Sequence, residues 1–86
     1  MSSLDRIATE LADDTMKIMD ATGEDRLYME VAAVLGASSQ TLEEAYLTEM
    51  RIRLYEIKAR AFLNGKIKQY EAKLRASETD AGGDAG

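Results

Sequence analysis

The residues best suited to chemistry are three groups of carboxylates: Asp13-Asp14, Glu43-Glu44, and Asp20, Glu24 and Asp25 around Gly23. Carboxylates that converge on one point can pass protons or hold a cation. Neighbours on a helix project about 100° apart, so neither adjacent pair can share an ion. Glu43 and Glu44 also fall in a first helical turn, where the helix dipole favours acid. Asp20, Glu24 and Asp25 lack the length and spacing of a calcium loop. The chain has no His and no Cys, which removes the commonest general base and metal ligand and every thiol reaction. Gly36 and Gly65 form no phosphate-cradling loop. These acids read as solvated groups at helix ends, so we expect no enzyme, no metal and no cofactor.

The 86 residues, 45% apolar and 31% charged, make one small domain whose core is marginal unless something adds burial. No apolar run approaches the roughly 20 residues of a membrane span. Met1 leads into an amphipathic segment without a signal-peptide core. The expectation is a cytoplasmic protein with no membrane association.

Helical periodicity dominates, and no strand pattern occurs, so the fold class is all-α. The first helix spans about 3–20. Ser2 with Asp5 resembles a capping box, and Leu4, Ile7, Leu11 and Ile18 keep three-and-four spacing, interrupted at Asp14 and Thr15. Ala21-Thr22-Gly23 ends it. Thr22 with Asp25 caps a second helix over 24–35, stopped by Gly36. Thr41 with Glu44 caps a third, which covers about 40–63. Asn64-Gly65 signals a stop or kink, after which Leu63, Ile67, Tyr70 and Leu74 resume a stripe over 66–76 in a different phase. The helical domain is thus 1–76, and 77–86, with nothing to bury, is a disordered tail.

The third helix carries two apolar stripes. Leu47, Met50, Leu54, Ile57 and Ala61 form one, and Ala45, Ile52, Tyr55, Ala59 and Phe62 form the other. At about 100° per residue they lie roughly 150° apart. One stripe can be covered by the first two helices. We assign that role to Ala45, Ile52, Tyr55, Ala59 and Phe62, which would share an intramolecular core with Val31 and Leu35. Too little chain remains to cover the other, so Leu47, Met50, Leu54, Ile57 and Ala61 are expected to form a homo-oligomer interface resembling a coiled coil. The alternative is that the C-terminal segment folds back over it.

Charge is polarised. Residues 1–49 hold three basic and eleven acidic residues, whereas 50–77 hold eight basic and two acidic. Arg51 and Lys58 fall in one strip between the apolar stripes, and Arg53 and Arg60 in the opposite one. Such positions pair with acid across a helical interface, the reading favoured here because the first half supplies acid, or they contact phosphates. The DNA-contact candidates are Ser39, Gln40, Arg51, Arg53, Lys58, Arg60, Lys66 and Lys68.

The stretch 31–46 places an apolar helix end before Leu35-Gly36, then Ala37-Ser38-Ser39, then a helix opening at Thr41-Leu42. It resembles a helix-turn-helix. Ala32 fills the small position late in the first helix. Gly36 fills the turn position, where a left-handed backbone is wanted. Leu42 and Ala45 fill the apolar positions six and nine residues later. The resemblance implies that Ser38, Ser39, Gln40, Glu43 and Glu44 face a groove. Ser and Gln can read base edges there, while the two carboxylates oppose the phosphate attraction. The run from Val34 to Leu54, VLGASSQTLEEAYLTEMRIRL, about a quarter of the chain, resembles compact small terminase subunits of phages and gene transfer agents. That resemblance implies a non-catalytic homo-oligomeric adaptor that engages double-stranded DNA weakly and recruits a large motor subunit. A helix-turn-helix transcription regulator and a helical protein–protein adaptor without DNA binding remain alternatives.

Overall fold

The computed structural model describes residues 2–78 with their side chains. Three helices follow one another: α1 (Ser3–Thr22), α2 (Leu27–Gly36) and α3 (Gln40–Ala85), with no strand among the described residues. The protein is all-α. The chain divides into two compact units, 1–54 and 55–86, here called the body and the arm, and α3 contributes to both. The disordered tail expected at 77–86 falls, beyond Glu78, outside the described residues.

Each boundary of α1 has a local cause. The Ser2 hydroxyl accepts the Asp5 backbone N–H at 3.2 Å, satisfying one of the free donors of the first turn. At the other end Gly23 turns left-handed, with φ +75, and its N–H closes on the Met19 carbonyl at 2.8 Å. Thr22 belongs to this end and does not open α2. Its hydroxyl donates to the Ile18 carbonyl at 2.7 Å and accepts the Glu24 N–H at 3.3 Å. The N-cap of α2 is Arg26, which makes no side-chain capping bond.

The core of the body is built from small residues around two large ones. Ala8, Ala12 and Thr15 of α1 and Ala32 of α2 are buried, and Tyr46 and Met50 of α3 are wholly buried. Short side chains on α1 and α2 leave room for the two large ones. Leu11, Met16, Met19, Tyr28, Val31, Leu35, Leu47 and Leu54 pack around this centre, partly exposed. The one buried polar side chain among the described residues is Thr15, which replaces an apolar residue in the α1 stripe. Its hydroxyl donates to the Leu11 carbonyl at 2.8 Å, and its oxygen lies 2.8 Å from the Tyr46 hydroxyl. A threonine has a single hydroxyl proton. With that proton committed to Leu11, Tyr46 donates to Thr15, and both groups are satisfied without water.

This pairing fixes the rotation of α3 and corrects the assignment of its stripes. Met50 is wholly buried and so is not available to an oligomer interface, and Leu47 and Leu54 pack half-buried against the same core, so this stripe serves the intramolecular role assigned to the other. Ile57 and Ala61 of the same stripe are exposed in the arm. Of the residues assigned to the core, Ile52, Tyr55, Ala59 and Phe62 are exposed and Ala45 is half-buried. Val31 and Leu35 lie against the core. The spacing of the two stripes is equivalent. What distinguishes them is Tyr46, on neither stripe, which needs Thr15 for its hydroxyl and turns Leu47, Met50 and Leu54 inward with it.

The α2–α3 connection holds two further corrections. Gly36 is the last residue of α2 and is not left-handed; among the described residues only Gly23 has positive φ. The small size of Gly36 matters for another reason. A Cβ there would come within 2.5 Å of the Glu43 carboxylate and 2.9 Å of its Cδ, so the first turn of α3 closes over this position. The cap of α3 is Ser39 and not Thr41, because the Ser39 hydroxyl accepts the Leu42 N–H at 3.1 Å. Farther along, α3 continues through Asn64-Gly65 with neither a stop nor a separate helix at 66–76. Gly inside a helix costs about 1 kcal/mol relative to Ala, and the flanking Leu63, Lys66, Lys68 and Gln69 are good helix formers that carry the helix past it.

Candidate oligomer and nucleic-acid interface

The arm exposes many large apolar side chains. Tyr55, Ile57, Phe62, Leu63, Ile67, Tyr70 and Leu74 are each about half exposed or more, with Tyr70 at 65%. Ala59, Leu63, Ile67, Tyr70 and Leu74 advance by three or four residues, and thus stay on one side of a helix that gains about 100° per residue. The sequence marks Leu63, Ile67, Tyr70 and Leu74 as a stripe but hides its continuity with Ala59. The suspected break at Asn64-Gly65 separates them.

The same periodicity sorts the basic residues of the arm. Lys66 and Lys73 border this stripe, and the Lys66 ammonium sits 5.7 Å from the centre of the Phe62 ring, within cation–π range. Lys58, Lys68 and Arg75 project from the far side. Arg75 pairs loosely with Glu71 at 3.8 Å, and the Arg60 Nε donates to Glu56 at 2.9 Å along the helix. Lys58, Lys66 and Lys68 form no ion pair among the described residues, and neither does Arg51 of the body.

Arg53 is different, and the structure removes it from the DNA-contact set. Its side chain is only 19% exposed. Its Nε donates to Asp13 at 2.9 Å, while its Nη1 donates to the Glu49 carboxylate at 3.0 Å and to the Glu49 backbone carbonyl at 2.9 Å. Glu49 also accepts from the Thr9 hydroxyl at 3.1 Å. Burial pulls the Arg53 pKa down, but the hydrogen bonds and negative charges of Glu49 and Asp13 outweigh it and raise the value. Arg53 is therefore a clamp between α1 and α3. Asp13 lies forty positions from Arg53, and Thr9 forty from Glu49, beyond the reach of any local pattern.

At the turn, Ser39 is half-buried and its oxygen is committed to capping α3, so it does not stand free to read a base. Ser38, Gln40, Thr41 and Glu44 are exposed, and Glu43 is half-buried over Gly36. Three residues, 37–39, connect α2 to α3, a length that suits a helix-turn-helix. The polar reading surface is reduced to Ser38 and Gln40 beside Glu44.

Elsewhere on the body, Glu24, Asp25, Arg26, Leu27 and Glu30 line an open groove of about 270 Å³ at the start of α2. Beside it Met29, Ala33 and Val34 are exposed, Val34 at 71%. No three His, Cys, Asp or Glu among the described residues come together as a metal site, and no described helix is long and apolar enough to cross a membrane. No family model, curated protein or solved structure matches the chain.

Proposed function

We propose that the protein is a non-enzymatic, cytoplasmic homo-oligomeric adaptor of DNA packaging, resembling a small terminase subunit, that touches double-stranded DNA weakly through phosphates and recruits a motor subunit. The observation that carries this reading is the arm: a helix with an apolar stripe on one side and Lys58, Lys68 and Arg75 on the other. An exposed stripe of this size is costly in an isolated chain and typical of an association surface. Of these, Lys58 and Lys68 make no ion pair among the described residues and can meet phosphate. One protomer supplies few such contacts, and an oligomer repeats them, so weak contacts combine into avidity.

Light scattering at micromolar concentration should give a mass well above 9.5 kDa. The oligomer should retain long duplex DNA at low salt and release it as salt rises, with little sequence preference. Lys58→Glu with Lys68→Glu should abolish retention and leave oligomer size unchanged. An oligomer that never shifts long DNA, even at low salt, would remove direct DNA contact and leave the adaptor without nucleic-acid binding. The internal commitment of Arg53 and Ser39 favours that second reading over a sequence-specific regulator.

A further inference from the structure

The middle of the arm and the body carry opposite charge, and arm and body each bear an uncovered apolar patch. Residues 57–77 hold six basic residues and one acidic, Glu71. The start of α2 holds Glu24, Asp25 and Glu30 against the single cation Arg26, around the groove and next to Met29, Ala33 and Val34. We propose that the arm of one copy docks on the outer face of α2 in a second copy of this chain, with Leu63, Ile67, Tyr70 and Leu74 against Met29, Ala33 and Val34 and with Lys66 and Lys73 reaching the carboxylates of the groove. This deepens the self-association part of the reading above and rests on it.

Charge complementarity supports this partner. Antiparallel pairing of two arms through their stripes would bring Lys66 and Lys73 of both copies to one edge of the seam, where like charges are penalised, and parallel pairing would offer them only Glu71 and Glu78 across it. Docking on α2 instead supplies three carboxylates to the cations that border the stripe. It also leaves Lys58, Lys68 and Arg75 on the opposite side, clear of the contact. Such an interface is heterologous. Each copy offers both halves, so copies add until a ring closes or a filament grows.

Charge reversal on each half, followed by mixing, tests this. Lys66→Glu with Lys73→Glu reverses the arm, and Glu24→Lys with Glu30→Lys reverses the groove; none of the four contacts the core. Each variant alone should keep its circular dichroism spectrum and fall to a mass near 9.5 kDa by light scattering. An equimolar mixture should regain the assembled mass, because the acidic arm then meets the basic groove and the unaltered halves meet each other. Assembly of the unaltered protein should weaken as salt screens the contact. If the groove variant assembles as the unaltered protein does, or if salt strengthens assembly, arms pair with arms and the docking is wrong while self-association stands. A monomeric unaltered protein would overturn both.

Discussion

Body and arm use one helix in opposite ways. In the body, α3 turns Tyr46 and Met50 into a core lined by alanines, and its polar neighbours Glu49 and Arg53 are each tied to α1. In the arm, side chains at least as large, Phe62, Ile67 and Tyr70, are more than half exposed, and the charged side chains pair only along their own helix, as Arg60 does with Glu56. The body is held by tertiary burial and the arm by helix propensity and i,i+4 pairs, a weaker source of order. The body has a buried core of its own, and the arm has none among its described residues.

The largest expected effect breaks the body alone. Met50→Ala should lower its stability by about 2–5 kcal/mol in urea unfolding followed by circular dichroism, since a filled site becomes a cavity. Tyr70→Ala should shift that transition by less than about 0.5 kcal/mol and reduce oligomer mass instead. Equal losses from the two would erase the distinction between the units.

Glycine offers a sharper contrast at about 1 kcal/mol. Gly23→Ala forces a side chain into the left-handed region and should destabilise the body by about 1 kcal/mol or more. Gly65 has helical backbone and open space around a would-be Cβ. Gly65→Ala should stabilise the helix by up to about 1 kcal/mol, read as increased helical ellipticity. A drop in helicity would mean that the arm does not continue through 65.

Alkaline titration isolates one core group. Burial raises the Tyr46 phenol pKa. Because the folded value is higher, the native state holds the proton more tightly. The resulting stability is fully present below the unfolded-chain value of about 10 and is lost as pH climbs from there through the folded value. Tyr46→Phe should flatten that dependence; an unchanged slope would place its origin elsewhere. The smallest effect is expected at the turn. Gly36→Ala should alter stability by no more than about 0.5 kcal/mol, because the atoms it meets are the far end of the flexible Glu43 side chain. A loss of several times that would show Glu43 to be locked in place.

The all-α class and the three helices are legible from periodicity and from Ser, Gly and Thr punctuation. The rotation of α3 is not, because both stripes satisfy the same three-and-four rule and the deciding bond joins Tyr46 to Thr15, thirty-one positions away. Thr15 looks like a gap in the α1 stripe and proves to be part of the core. Gly36 has the right identity for a turn, yet what it provides is room for Glu43. Arg53 looks like a free cation because its partner Asp13 lies on another helix. Local signals delimit the elements; pairings between helices decide what each face does.

The ties from Thr9 to Glu49 and from Asp13 to Arg53 each span forty positions, and this sets an order of events during synthesis. Closing so long a loop costs entropy before any contact is made, and contacts so distant in the chain slow folding. Helices α1 and α2 emerge first without the side chains that complete their core. Met50, Arg53 and Leu54 arrive together at the end of the body, so the unit can close only when its last residues are in place. The arm is made after that point, and its sticky surface reaches the solvent attached to a body that already has everything it needs to fold.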